Sequence, residues 1–221
     1  MIYKTKLSDK RNYGGLRKKT EYIVVHYTGN DGDTDEANAT YFATGSRGAS
    51  AHYFVDDDSV TLSVPIGNIA WSVGDGKKGP FGSVASNSNT VNIELCDTVK
   101  DGSYNLSAKT RANAIELICQ LMAKYGLTTD QVIRHYDVSL KNCPAYFAGP
   151  NNKEWEKFKM EIDKAFGKYC AECIAAYQNE LEADDWAKKE LGEAITKKIT
   201  DGSRPKAYAT REEVAIMVKR N

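Results

Sequence analysis

The sequence predicts an α/β domain built on a mixed central β-sheet flanked by helices, followed by a small all-α C-terminal module. Three observations carry that prediction: β-branched and aromatic runs of strand length in the first half, a long amphipathic helix opening at Ser107, and a strand-free, helix-rich composition after residue 167. The chain's 221 residues suffice for one full core with a remainder for a second module, placing the domains at 1–167 and 168–221.

Glu21 to Thr28, EYIVVHYT, is β-branched and aromatic and reads as a buried strand whose polar exception, His26, sits near its C-terminal end. Thr34 to Thr44 opens with a Thr-Asp-Glu cluster suited to a helix start. AHYFVDDDSVTLSV alternates apolar and polar residues around an Asp-rich turn, a hairpin signal, and TVNIELC, 90 to 96, fits another strand. Ser107 caps a helix whose apolar face is Ile115, Leu117, Ile118, Leu121 and Met122 and which ends near Gly126. QVIR is β-like, and the helix NNKEWEKFKMEIDKAF closes the domain. The remainder reads as two or three helices, with DGSRP as a turn and Thr210 with Glu213 as a capping box for the last one. Roughly fifty residues is small for an independent core, so this piece is expected to dock or to self-associate.

Thirty basic residues balance thirty acidic ones, and residues 170–221 hold nine against ten, so no basic face is implied and nucleic acid is not an expected partner. No stretch approaches the roughly 20 apolar residues of a membrane span. The basic N-terminus is followed by no apolar run of signal-peptide length, so synthesis in a cytoplasm is expected. Five irregularly spaced cysteines do not form a disulfide framework and should be thiols there. Cys170 and Cys173, in CAEC, make an i, i+3 pair that supplies only half of a zinc site and reads as small buried residues.

A catalytic zinc wants three protein ligands from His, Cys or carboxylate and an open position for water. His26 ends one strand, His135 follows QVIR, and Cys143 lies in the loop before Pro144, so all three can converge at a sheet edge. The alternatives are a satisfied structural histidine and a small core cysteine. Glu94, in the apolar run VNIELC, would cost several kcal/mol to bury unpaired and must therefore face solvent, a partner or a site; an edge-strand position facing water is the bland alternative. Lys141 is either a surface lysine or a site cation.

The segments IVVHYTGN, SAHYFVDD, AWSVGD, NIELC and RHYDVSLKNCP together resemble the zinc-dependent N-acetylmuramoyl-L-alanine amidases of the phage-lysozyme and peptidoglycan-recognition-protein superfamily, in family order over about residues 20 to 147. The resemblance implies that His26, His135 and Cys143 hold Zn2+, that Glu94 is the general base and that Lys141 contacts the reacting carbonyl. It implies peptidoglycan as substrate, and a phage or prophage endolysin of a Gram-positive host that reaches the cell wall on release. Relatives carry a tyrosine where this chain has Ala51 and a Trp-His pair where it has Trp71-Ser72. His52 and Trp71 are therefore weaker candidates for substrate contact or for supporting the metal residues, and Asp137 is either a partner of His135 or an ordinary turn aspartate. The tail, from WAKKELGEAITKKITDGSRP onward, resembles one S-layer-homology-like repeat. That implies a secondary cell-wall polymer as ligand and, because such repeats share a core in threes, a possible homo-oligomer. A non-catalytic peptidoglycan-binding protein on the same fold is the alternative, against which the retained Glu94 and Cys143 speak.

Overall fold

A computed structural model of the chain describes residues 1–207 together with Val214, Ile216 and Lys219, in two compact units, Met1–Phe166 and Gly167–Asn221. In the first, strands β1 (Ile2–Thr5), β3 (Tyr22–Tyr27), β4 (Tyr53–Val55), β5 (Ser59–Leu62), β7 (Thr90–Leu95) and β8 (Val132–Arg134) form a six-stranded sheet in the order β1-β5-β4-β7-β3-β8, while β2 (Tyr13–Leu16) and β6 (Asn68–Ala70) form a separate antiparallel pair. Only the β4–β5 hairpin is antiparallel within the large sheet, so the sheet is mixed, as the sequence predicts. Helices α1 (Asp35–Ala43), α2 (Ala108–Tyr125), α3 (His135–Ser139) and α4 (Lys153–Glu180) complete the layers.

Alternation along the central strands decides which residues meet the core. In β3, Ile23 and Val25 join Val91, Ile93 and Leu95 of β7 in a cluster with Leu117, Ile118 and Leu121 of α2 and Trp155, Phe158 and Ile162 of α4. Val24 faces the opposite side with Val73, Ile133 and Val138, and the two-residue period that puts Val24 there also carries His26, Asn92 and Glu94 to that face. The register sets His26 directly beside Glu94. Because β7 lies between β4 and β3, Glu94 occupies a central strand and the edge-strand alternative is excluded.

The capping chemistry explains the helix limits. Thr34 accepts the Ala37 amide at the start of α1, Ser107 accepts the Thr110 amide at the start of α2, and Gly126 in the left-handed conformation (φ 65°) ends α2. The Asp56 carboxylate accepts the amides of Asp58 and Ser59 and closes the β4–β5 hairpin. His135 follows β8, as expected, and opens a short helix, α3, that the sequence reading does not name. The helix expected to stop at residue 166 runs on to Glu180, since Gly167 alone costs a helix only about 1 kcal/mol and helix-forming residues flank it.

The second unit contains α5 (Asp185–Thr196), and Lys206 bonds Asp184 at 2.7 Å just before it. None of its described residues is buried. Cys173 is exposed and Cys170 half-buried, which corrects the reading of both as buried: they lie on a part of α4 without a covering core. Thr210 and Glu213, the expected capping box of a last helix, lie outside the described residues. No described helix is long and apolar enough to cross a membrane.

Candidate metal centre

At the C-terminal ends of β3 and β7 the chain brings together His26, His135 and Cys143, all buried, with one ligand atom from each lying within 4.8 Å of the others. β3 delivers His26, the β8–α3 junction delivers His135, and the loop after α3 delivers Cys143, whose Sγ is 3.8 Å from His26 Nδ1. The two imidazole centroids are 4.6 Å apart. Glu94 Oε1 is 4.0 Å from the same His26 Nδ1, and its Oε2 is buried without a hydrogen-bond partner.

The neighbours fix the ring orientations. His26 Nε2 donates to Asn92 Oδ1 at 3.0 Å, which directs Nδ1 to the cluster. His135 Nε2 lies 2.7 Å from Asp75 Oδ1, and the other oxygen of Asp75 is 3.2 Å from Lys141 Nζ. Asp137, by contrast, does not bond His135. Its carboxylate takes the Arg134 guanidinium at 2.6 and 3.0 Å and the Arg134 amide at 2.8 Å, because one turn of α3 points it back along the chain. His52 lies one strand away: Nδ1 accepts the Asn92 amide and Nε2 faces Asn68 O, so it supports the strand that holds Asn92 and stands outside the groove. Trp71 and Ser72 do line the groove, a cavity of about 780 Å³ that runs from the cluster past Tyr27, Tyr41 and Phe42.

The electrostatics favour the neutral forms of the three clustered donors and of Glu94. Burial, reinforced by the neighbouring His135, holds His26 well below 6.5, and burial lowers His135 against the opposing bond to Asp75. Both rings therefore carry free lone pairs at neutral pH. Burial pushes the Cys143 thiol up to about 12 and the Glu94 carboxyl up to about 8, with Lys141 opposing both rises. The Tyr27 amide bonds the Cys143 sulfur and favours its thiolate. Two neutral imidazoles, one thiol and a buried carboxylate oxygen without a hydrogen-bond partner present a set of lone-pair donors. The donor set therefore fits a divalent cation, which would draw the proton from the thiol.

Asp75 and Asn92 escape the sequence reading. Asn92 was within reach, since it stands two residues before Glu94 in an apolar strand and so shares its face. Asp75 sits in a glycine-flanked bend and closes the segment AWSVGD, which carries part of the resemblance, although the sequence reading gives it no role.

A family profile described as N-acetylmuramoyl-L-alanine amidase matches residues 16–146, a span that includes His26, Glu94, His135, Lys141 and Cys143. The N-acetylmuramoyl-L-alanine amidase CwlL of Bacillus licheniformis is 31% identical over 196 residues, 86% of this chain and 51% of that protein. The chain spans about half the length of the curated relatives it matches. Among solved structures, the catalytic domain of XlyA, a Bacillus subtilis protein, superposes with a TM-score of 0.62 at 29% identity, over 73% of this chain and 99% of that one. A mutant endolysin from Bacillus subtilis gives 0.61 at 31% identity, with 73% and 99% covered.

Proposed function

Since the chain belongs to the N-acetylmuramoyl-L-alanine amidase family, we propose that it hydrolyses the bond between N-acetylmuramic acid and the first L-alanine of peptidoglycan, with Zn2+ held by His26, His135 and Cys143. The observation that carries this reading is the convergence of those three donors beside the buried carboxylate of Glu94. Two nitrogens and a sulfur suit zinc, and three protein ligands are the number a catalytic site uses. When bound, zinc supplies a Lewis acid and makes water acidic enough to react near neutral pH.

The remaining roles belong to the chain's own groups. Glu94, lowered from about 8 once a cation stands beside it, accepts the proton of the attacking water and returns it to the departing L-alanine nitrogen. Lys141 donates to the lactyl carbonyl oxygen as negative charge develops there. Asn92 keeps the His26 ring in its ligating orientation. Trp71, with Tyr41 and Phe42, gives the groove aromatic walls against which glycan and stem peptide can lie.

The protein is a phage or prophage endolysin, made in a Gram-positive host's cytoplasm and acting on the wall after release. Residues 1–167 are the amidase domain, and residues 168–221 bind a secondary cell-wall polymer. Trp186 and Ile199, exposed in the second unit, support a module that uses an external partner, either the polymer or further copies of itself. Purified Gram-positive peptidoglycan, digested with the zinc-loaded chain and read by mass spectrometry, should yield free L-alanine amino termini on intact glycan. Wall binding without new ends would replace the enzyme with a binding protein.

A further inference from the structure

We propose that Asp75 is a positioning residue that ties the metal ligand His135 to Lys141 through the two oxygens of one carboxylate. Oδ1 takes His135 Nε2 at 2.7 Å and Oδ2 takes Lys141 Nζ at 3.2 Å. The first contact fixes the ring so that Nδ1 is left for the metal; the second holds a flexible, half-exposed lysine in the groove. The part concerning Lys141 rests on the amidase reading, while the part concerning His135 rests on metal binding alone.

An exposed lysine-aspartate pair is by itself weak, because water screens it and two flexible chains must be ordered. Here the ordering is built into the fold. The segment carrying Asp75 is docked on α3, the helix that His135 opens, by bonds from the Gly79 amide to Val138 O (3.0 Å) and from the Phe81 amide to Asp137 O (2.9 Å). A Cβ on Gly79 would collide with the Asp137 carbonyl. Backbone lies directly on backbone, so Asp75 and His135 share one rigid support. Lys141 follows the same helix within two residues of its end. The carboxylate therefore meets two partners presented by a single element.

The test uses the full zinc-loaded chain and four variants: Asp75→Ala, Asp75→Asn, Lys141→Ala and the Asp75→Ala/Lys141→Ala double variant. Folding is checked by circular dichroism, zinc affinity is measured against a chromophoric chelator, and kcat and KM are measured on purified peptidoglycan. Asp75→Ala should weaken zinc about 10- to 100-fold. Asp75→Asn keeps an oxygen for His135 but offers Lys141 no second acceptor, so its zinc affinity should stay within a few fold of the parent while kcat falls toward that of Lys141→Ala. At saturating zinc the double variant should be no slower than Lys141→Ala. Zinc affinity of Asp75→Ala within twofold of the parent would overturn the link to His135. Losses in kcat that multiply in the double variant would overturn the link to Lys141. If the parent binds zinc but releases no new ends, the amidase reading fails and takes the Lys141 half with it, while the affinity comparison still decides the His135 half.

Discussion

A carboxyl held at about 8 by burial, four ångströms from His26 Nδ1, is a group whose protonation follows whatever charge enters beside it. Glu94 contributes no ligand atom to the three-residue cluster, so removing its charge should leave the metal in place. Glu94→Gln is therefore expected to retain one zinc per chain while the release of new amino termini falls by about 10² to 10⁴; zinc content and end-group analysis on the same sample check both halves. His26 and Glu94 stand out as polar residues in apolar runs, but the grouping of both with His135 and Cys143 comes from the resemblance of the surrounding segments and not from local chemistry. Asp75 is given no role, because an aspartate in a bend is ordinary until its partners are known, and Asn92 is passed over although it shares the face of Glu94. For Asp137 the sequence leaves two alternatives, and the structure excludes a bond to His135. Two residues from His135 in sequence, it is drawn away by the Arg134 guanidinium, whereas Asp75, sixty residues away, makes the contact.

Elements with chemical punctuation were readable to within a residue or two, since Thr34, Ser107 and Gly126 declare their helix ends and the Asp-rich turn declares the hairpin. The short strands β1, β2 and β6 carry no such marks: β1 is exposed at every position and β2 contains two glycines, so only pairing with distant segments makes them strands. Gly126 gives a clean test of the end of α2. At φ 65° a side chain is strained although the space around it is open, so Gly126→Ala should destabilise the fold by about 1 kcal/mol. Urea unfolding followed by circular dichroism measures this, and an unchanged midpoint would mean that the turn relaxes at no cost.

The first unit ties its two sheets together with a partly buried polar knot. Arg17 donates to the carbonyls of Ile66, Asn68 and Thr90 and lies 2.8 Å from His52 Nε2, bridging the β6 segment to β7. Burial first, and the Arg17 charge second, lower His52 to about 3 from 6.5. Because the folded value is the depressed one, the unfolded chain takes up the proton first, and stability is lost as pH falls from 6.5 toward 3. This group alone should remove about 2 kcal/mol between pH 7 and pH 5. His26 and His135 act in the same direction, so the comparison is one of slopes, on chelator-treated protein: urea midpoints of the parent should fall more steeply with acid than those of His52→Gln. Parallel slopes would remove His52 from the account. The fold class was legible from local patterns, but this long-range knot was not, since Arg17, His52 and Thr90 converge only after the sheets pair. The pairing of β3 with β7 has a practical corollary. His26 stands opposite Glu94 in a parallel ladder, and a slip of one residue would turn one of them to the other face. A misregistered chain thus loses the juxtaposition of His26 and Glu94 outright rather than by degrees, so under the proposed function the fraction of active molecules in a refolded preparation would count those with the sheet correctly assembled.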